Sequence, residues 1–118
     1  MKIYSFIGLP ASGKGTQARI FAEKRNLDLI GMGDVIRAVI EENKGSNDSF
    51  IIEIKKRYDA GVPQTDEVAF DLLKKKLLSL TKEGAVFDNF PFTVNQAKLL
   101  LDFTKGKGWE PPVLIYIK

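Results

Sequence analysis

At 118 residues, with 44% hydrophobic residues and a formal net charge of +3, the chain has the length of one domain and the composition of an ordinary soluble globular protein. It contains neither cysteine nor histidine, which excludes disulfides, thiolate chemistry, cysteine-built zinc sites and every mechanism that uses an imidazole base. What remains is chemistry by lysine, arginine, carboxylates and backbone amides.

In chain order, Lys2 to Ile7 is short, apolar and bounded by Gly8, which predicts a buried strand. A helix is expected to open near Gly13 and run to about Arg25, with Ala18, Phe21 and Ala22 on its inner face. Leu27 to Ile30 predicts a second strand, and Asp34 to Glu42 a helix carrying Val35, Ile36, Val39 and Ile40 at helical spacing. Lys44 to Ser49 is polar and contains glycine, as loops do. A helix from about Asn47 to Ala60 is stopped by Gly61-Val62-Pro63. Thr65 predicts an N-cap, with Asp66 and Glu67 placed where carboxylates suit the dipole of a helix running to about Thr81. Ala85 to Asp88 predicts a strand, Val94 to Thr104 a helix, and Val113 to Ile117 a fourth strand after Pro111-Pro112. Strands that are apolar throughout and alternate with helices predict an α/β domain, a parallel sheet covered by helices on both faces.

The stretch Ile7 to Gln17, IGLPASGKGTQ, carries the strongest chemical signal. Gly8, Gly13 and Lys14 match the phosphate-loop spacing G-x-x-x-x-G-K, but Gly15 stands where that pattern asks for serine or threonine and Thr16 arrives one residue late. The setting gives the loop meaning, because it follows a strand and opens a helix. Free backbone N–H groups and the positive end of the helix dipole converge there on an anion. Lys14 adds a point charge able to reach the outer phosphates. The basic runs Lys55-Lys56-Arg57 and Lys74-Lys75-Lys76 lack interleaved aromatic platforms and read as solvated helix faces, so nucleic acid is not an expected partner. No apolar run reaches the roughly 18 residues of a spanning helix and the N-terminal run is too short for a secretory leader, so the chain is expected to be cytoplasmic, without a membrane partner.

GLPASGKGTQ resembles the phosphate loop of the adenylate kinase family, G-x-P-G-x-G-K-G-T-Q, in which glycine is the residue after the lysine. Three further blocks follow in the family's order. Leu29 to Arg37, LIGMGDVIR, resembles the segment ending T-G-D-x-x-R. Ala60 to Glu67, AGVPQTDE, resembles A-G-x-x-V-T-D-E. Val86 to Ala97, VFDNFPFTVNQA, resembles D-G-F-P-R-T-x-x-Q-A.

The resemblance implies a three-layer P-loop fold and a single domain over 1–118, with a monophosphate-binding insertion at about 32–64. The implied reaction is reversible phosphoryl transfer from ATP, with Mg2+, to a nucleoside monophosphate, AMP foremost. Carried over residue by residue, Ala11, Ser12, Gly13, Lys14, Gly15 and Thr16 hold the ATP phosphates. Lys14 and Asp88 take the catalytic roles, and Asp34 and Asp88 hold the waters around magnesium. Met32, Arg37, Val62, Pro63, Gln64, Asn89, Phe92 and Gln96 form the acceptor site. Arg37 clamps the monophosphate there, Val62 to Gln64 make backbone contacts to the base, and Gln96 reads adenine.

The acceptor side matches the family less well. Met32 replaces a threonine, Asn89 a glycine, and Phe92 an arginine whose guanidinium is lost from the acceptor phosphate. The sequence ends within or just after the fourth strand, with no arginine beyond Arg57, so the family's arginine-rich lid, fifth strand and closing helices are expected to be missing. Either a longer kinase continues past Lys118, or the edge of strand 113–117 pairs with a partner. The isolated chain is accordingly expected to self-associate or to be marginally stable. Two other readings stand beside the kinase, namely an ATP-binding module without transfer activity and a pyrimidine monophosphate kinase.

Overall fold

The computed structural model describes residues 1–8, 13–88 and 90–117. Its strands are β1 (Lys2–Gly8), β2 (Asp28–Gly31), β3 (Gly84–Asp88) and β4 (Val113–Ile117). Its helices are α1 (Lys14–Arg25), α2 (Met32–Glu42), α3 (Ser49–Asp59), α4 (Asp66–Leu78) and α5 (Val94–Gly106). All neighbouring strands pair in parallel, in the order β2-β3-β1-β4.

Strand residues alternate between two cores, one on each face of the sheet. Ile3, Ile30, Ala85 and Phe87 pack on one face against Val35, Ile54, Ala69, Leu72, Leu73, Leu77 and Leu100, contributed by α2 to α5. Phe6 and Val86 pack on the other against Ala18 and Ala22 of α1, with Phe21 set edge-on to both Tyr4 and Phe6. Burial of a side chain such as Phe87 or Leu73 contributes roughly 1.5–3 kcal/mol each. The small residues at 18 and 22 let α1 lie close on the sheet; both are buried, as the helical spacing predicts.

The elements agree with the sequence expectations in kind and order, and the differences lie at their ends. β3 begins one residue earlier than expected, at Gly84, where a Cβ would overlap the Lys2 carbonyl of the paired strand. α4 stops at Leu78 instead of running to Thr81, because the Ser79 hydroxyl donates to the Lys76 carbonyl and Ser79 N bonds the same oxygen. α5 runs on to Gly106; Trp109 N then bonds the Thr104 carbonyl across Gly108, whose φ of 70° is left-handed. Thr65 does cap α4, accepting from Val68 N at 3.3 Å.

β4 differs from the other strands. It pairs only with β1 among the described residues, and Leu114 and Tyr116 are 57% and 63% exposed. Its inner residues Ile115 and Ile117 pack partly against the α1-side core.

Candidate active site

The parallel register brings the carboxyl ends of three strands together: Asp88 is opposite Phe6 of β1 and Gly31 of β2. Helix α1 is the next element after β1, with Gly13 as N-cap at φ 85°, and no side chain among the described residues caps it. Its first-turn amides are therefore left for an anion, in the field of the helix dipole. Gly15 follows in that turn so close to the aspartate that a Cβ there would lie 3.5 Å from Asp88 Oδ2. Thr16 is exposed in the same turn. Ala11, Ser12 and Asn89 lie outside the described residues.

Lys14 is mostly buried and places Nζ 3.3 Å from Asp88 Oδ1. The pair lies in ion-pair range but without hydrogen-bond alignment, and Asp88 Oδ1 is buried with no hydrogen-bond partner among the described residues. Beside it is a cavity of about 300 Å3 lined by Lys14, Gly31, Met32, Gly33, Asp34, Arg37 and Asp88. Arg37 and Asp34, one turn apart on α2, form an ion pair over this cavity. Arg37 Nη1 also donates to the Tyr58 hydroxyl at 3.4 Å. Hydrogen bonding to Tyr58 first, and to Asp34 second, raises the pKa of the guanidinium. Gly33 leaves room for it, since a Cβ there would sit 3.2 Å from Arg37 Nη1. Each cation of the cavity thus faces a carboxylate, Lys14 with Asp88 and Arg37 with Asp34.

A second cavity, of about 290 Å3, adjoins the first across Met32, which lines both. Its other walls are Ile36, Pro63, Gln64, Ala69, Phe90, Phe92 and Gln96. Apolar walls make it a place for a flat, weakly polar group, while the charged cavity next door suits a phosphate. The turn that carries Pro63 and Gln64 is fastened to α3: Arg57 Nη1 donates to the Pro63 carbonyl at 3.0 Å, and Gln64 Nε2 donates to the Ile54 carbonyl at 2.9 Å. The start of α5 is fastened to α4, with Thr93 Oγ1 donating to Asp66 Oδ1 at 3.1 Å and Asn95 Nδ2 to Asp66 Oδ2 at 3.2 Å. Gln96 Oε1 accepts from Phe92 N at 2.7 Å, which closes the loop around the cavity.

The structure therefore brings together Lys14, Asp34, Arg37 and Asp88 in one cavity and Pro63, Gln64, Phe92 and Gln96 in the next, with Met32 between them. Val62 is exposed and lines neither cavity. Phe92 stands in the wall of the apolar cavity and not of the charged one. Two contributors, Tyr58 and Asp66, are not expected at the site from sequence, and a third, Gln64, is expected there only through its backbone. Tyr58 left no signal, being one aromatic on a helix face. Asp66 was read as a dipole-favoured carboxylate, and only the fold shows it bridging to Thr93 and Asn95. Gln64 was read for its backbone, although its side chain stands where the pattern A-G-x-x-V-T-D-E has valine.

A comparison with family models matches residues 6–118 to the adenylate kinase model. The chain belongs to the adenylate kinase family. Adenylate kinases of Leptospira biflexa and Clostridium botulinum (strain Langeland) are each 39% identical to it, over 93% and 95% of the chain, and that of Elusimicrobium minutum is 36% identical over 98%. The chain spans about half the length of these curated relatives: 58%, 50% and 52%. As expected of an adenylate kinase family member, the sheet is parallel with the phosphate loop after its first strand. Among the described residues no helix is long and apolar enough to cross a membrane.

Proposed function

We propose that the chain binds ATP at the α1 N-terminus and transfers its terminal phosphoryl group to a nucleoside monophosphate, AMP foremost, held across the two cavities. The observation that carries this reading is the adjacency of a charged cavity and an apolar one, sharing Met32, at the open N-terminus of α1. In the step, a phosphate oxygen of the monophosphate forms a bond to the γ-phosphorus as the bond from that phosphorus to the leaving ADP oxygen breaks. The protein contributes position and charge. Ala11 to Thr16 cradle the ATP phosphates, Lys14 neutralises charge on the moving group, and Arg37 holds the acceptor phosphate. Ile36, Phe90 and Phe92 flank the base.

Asp34 and Asp88 fit a hydrated Mg2+. Two carboxylates face one cavity, and among the described residues the buried Asp88 Oδ1 has no hydrogen-bond partner. That is the donor set of an ion that keeps most of its water and shares its charge with substrate phosphates. Bound there, magnesium would neutralise the triphosphate and fix its orientation. Lys14 and Arg37 would then exchange carboxylate partners for phosphate oxygens, so nucleotide and metal should bind together more tightly than either alone.

A second reading, an ATP-binding module without transfer, is favoured by one observation. Phe92 lies in the apolar wall, which leaves Arg37 as the single guanidinium lining the charged cavity among the described residues. The test is ADP formation from ATP and AMP, in the protein expressed to its natural stop codon, with Lys14→Ala as the control. Turnover above the control supports the kinase. ATP binding that depends on Lys14, without turnover, gives the second reading. A folded sample that binds no ATP analogue at millimolar concentration removes both.

A further inference from the structure

We infer that Gln64 is a specificity-determining residue of the acceptor site, its side-chain carbonyl accepting a hydrogen bond from an exocyclic amino group of the base. This rests on the acceptor reading proposed above and goes beyond it. Gln64 and Gln96 both line the apolar cavity, and they are only 9% and 7% exposed.

The orientation of each amide is fixed by chemistry. The Ile54 carbonyl can only accept, so the Gln64 atom 2.9 Å from it must be the NH2. The Phe92 N–H can only donate, so the Gln96 atom 2.7 Å from it must be the oxygen. Neither remaining end, Gln64 Oε1 nor Gln96 Nε2, has a partner within the protein among the described residues. The two glutamines therefore offer the cavity one acceptor and one donor amid apolar walls. A base edge that carries an amino group next to an unprotonated ring nitrogen satisfies both. A lactam edge, with a carbonyl next to a ring N–H, would set oxygen against oxygen and N–H against N–H.

In a cavity otherwise lined by Met32, Ile36, Pro63, Ala69, Phe90 and Phe92, an unmatched polar group has little else to bond, so discrimination should be large for so few contacts. Valine, the residue of the family pattern at this position, would present no such acceptor.

The experiment is calorimetric titration of the full chain with AMP, with purine riboside 5′-monophosphate, which lacks the 6-amino group, and with IMP, which carries the lactam. The wild type should bind AMP about tenfold more tightly than the purine analogue, and IMP more weakly again. In Gln64→Val the AMP preference over the purine analogue should shrink to less than about threefold, because the acceptor is gone. Gln64→Met, which keeps the side chain's length, repeats the test should valine at this position unfold the chain; circular dichroism and binding of an ATP analogue certify each sample. Equal binding of AMP and the purine analogue by the wild type, or an undiminished preference in a folded variant, overturns this inference and leaves the acceptor site standing. Binding of the ATP analogue with none of any monophosphate overturns the acceptor reading, and this inference with it.

Discussion

The two ends of the site are built by different means. The phosphate end is made from backbone: the carboxyl ends of β1, β2 and β3, an uncapped helix terminus, and one lysine and one aspartate held 3.3 Å apart. The base end is made from side chains delivered by α2, the turn before α4, α4 itself and the segment before and into α5, and fastened by hydrogen bonds from Gln64 to Ile54, from Phe92 to Gln96 and from Thr93 to Asp66. At the phosphate end Gly13, with φ 85°, is held to glycine by its left-handed backbone. A site made from side chains can be retuned one residue at a time, and the departures at Gln64 and Phe92 lie there, with Met32 on the border.

If that division is correct, substitutions at one end should leave the other intact. Lys14→Ala should have the largest effect, lowering affinity for an ATP analogue about a hundredfold or more while leaving AMP affinity within a factor of about two, by calorimetry with each nucleotide separately. An equal loss for both nucleotides would show that the ends are not independent. Arg37→Ala should do the converse, weakening AMP by about ten- to a hundredfold with the ATP analogue unaffected, because a charge-assisted contact to the acceptor phosphate is lost. Phe92→Arg should tighten AMP about tenfold if the new guanidinium reaches the charged cavity; no gain would mean the wall position cannot reach it. Tyr58→Phe removes only the hydroxyl that braces Arg37 and should weaken AMP about two- to threefold. An effect as large as that of Arg37→Ala would make Tyr58 a direct ligand.

The same division explains what could be read before the structure. Gly13, Lys14 and Gly15 are legible because a phosphate cradle requires those residue types at fixed spacing, and alternation of apolar strands with helices conveys the parallel sheet. Thr65 was legible as a cap for the same local reason. Helix ends were less so: α4 ends at Ser79 through a hydroxyl contact that no periodicity announces, and Gly84 starts β3 because of a neighbour far away in sequence. Least legible were Tyr58 and Asp66, whose partners Arg37, Thr93 and Asn95 lie 21, 27 and 29 residues away. Residues that act across such separations carry no local pattern, and only the packing of α2, α3, α4 and α5 brings them into contact.

Met32 has a consequence of its own. Among the described residues its unbranched thioether side chain is the one that lines both cavities, so a sugar linking base to phosphate would lie against a soft, movable group where threonine would offer a hydroxyl. Met32 would meet a pentose by shape, with no hydroxyl of its own to offer.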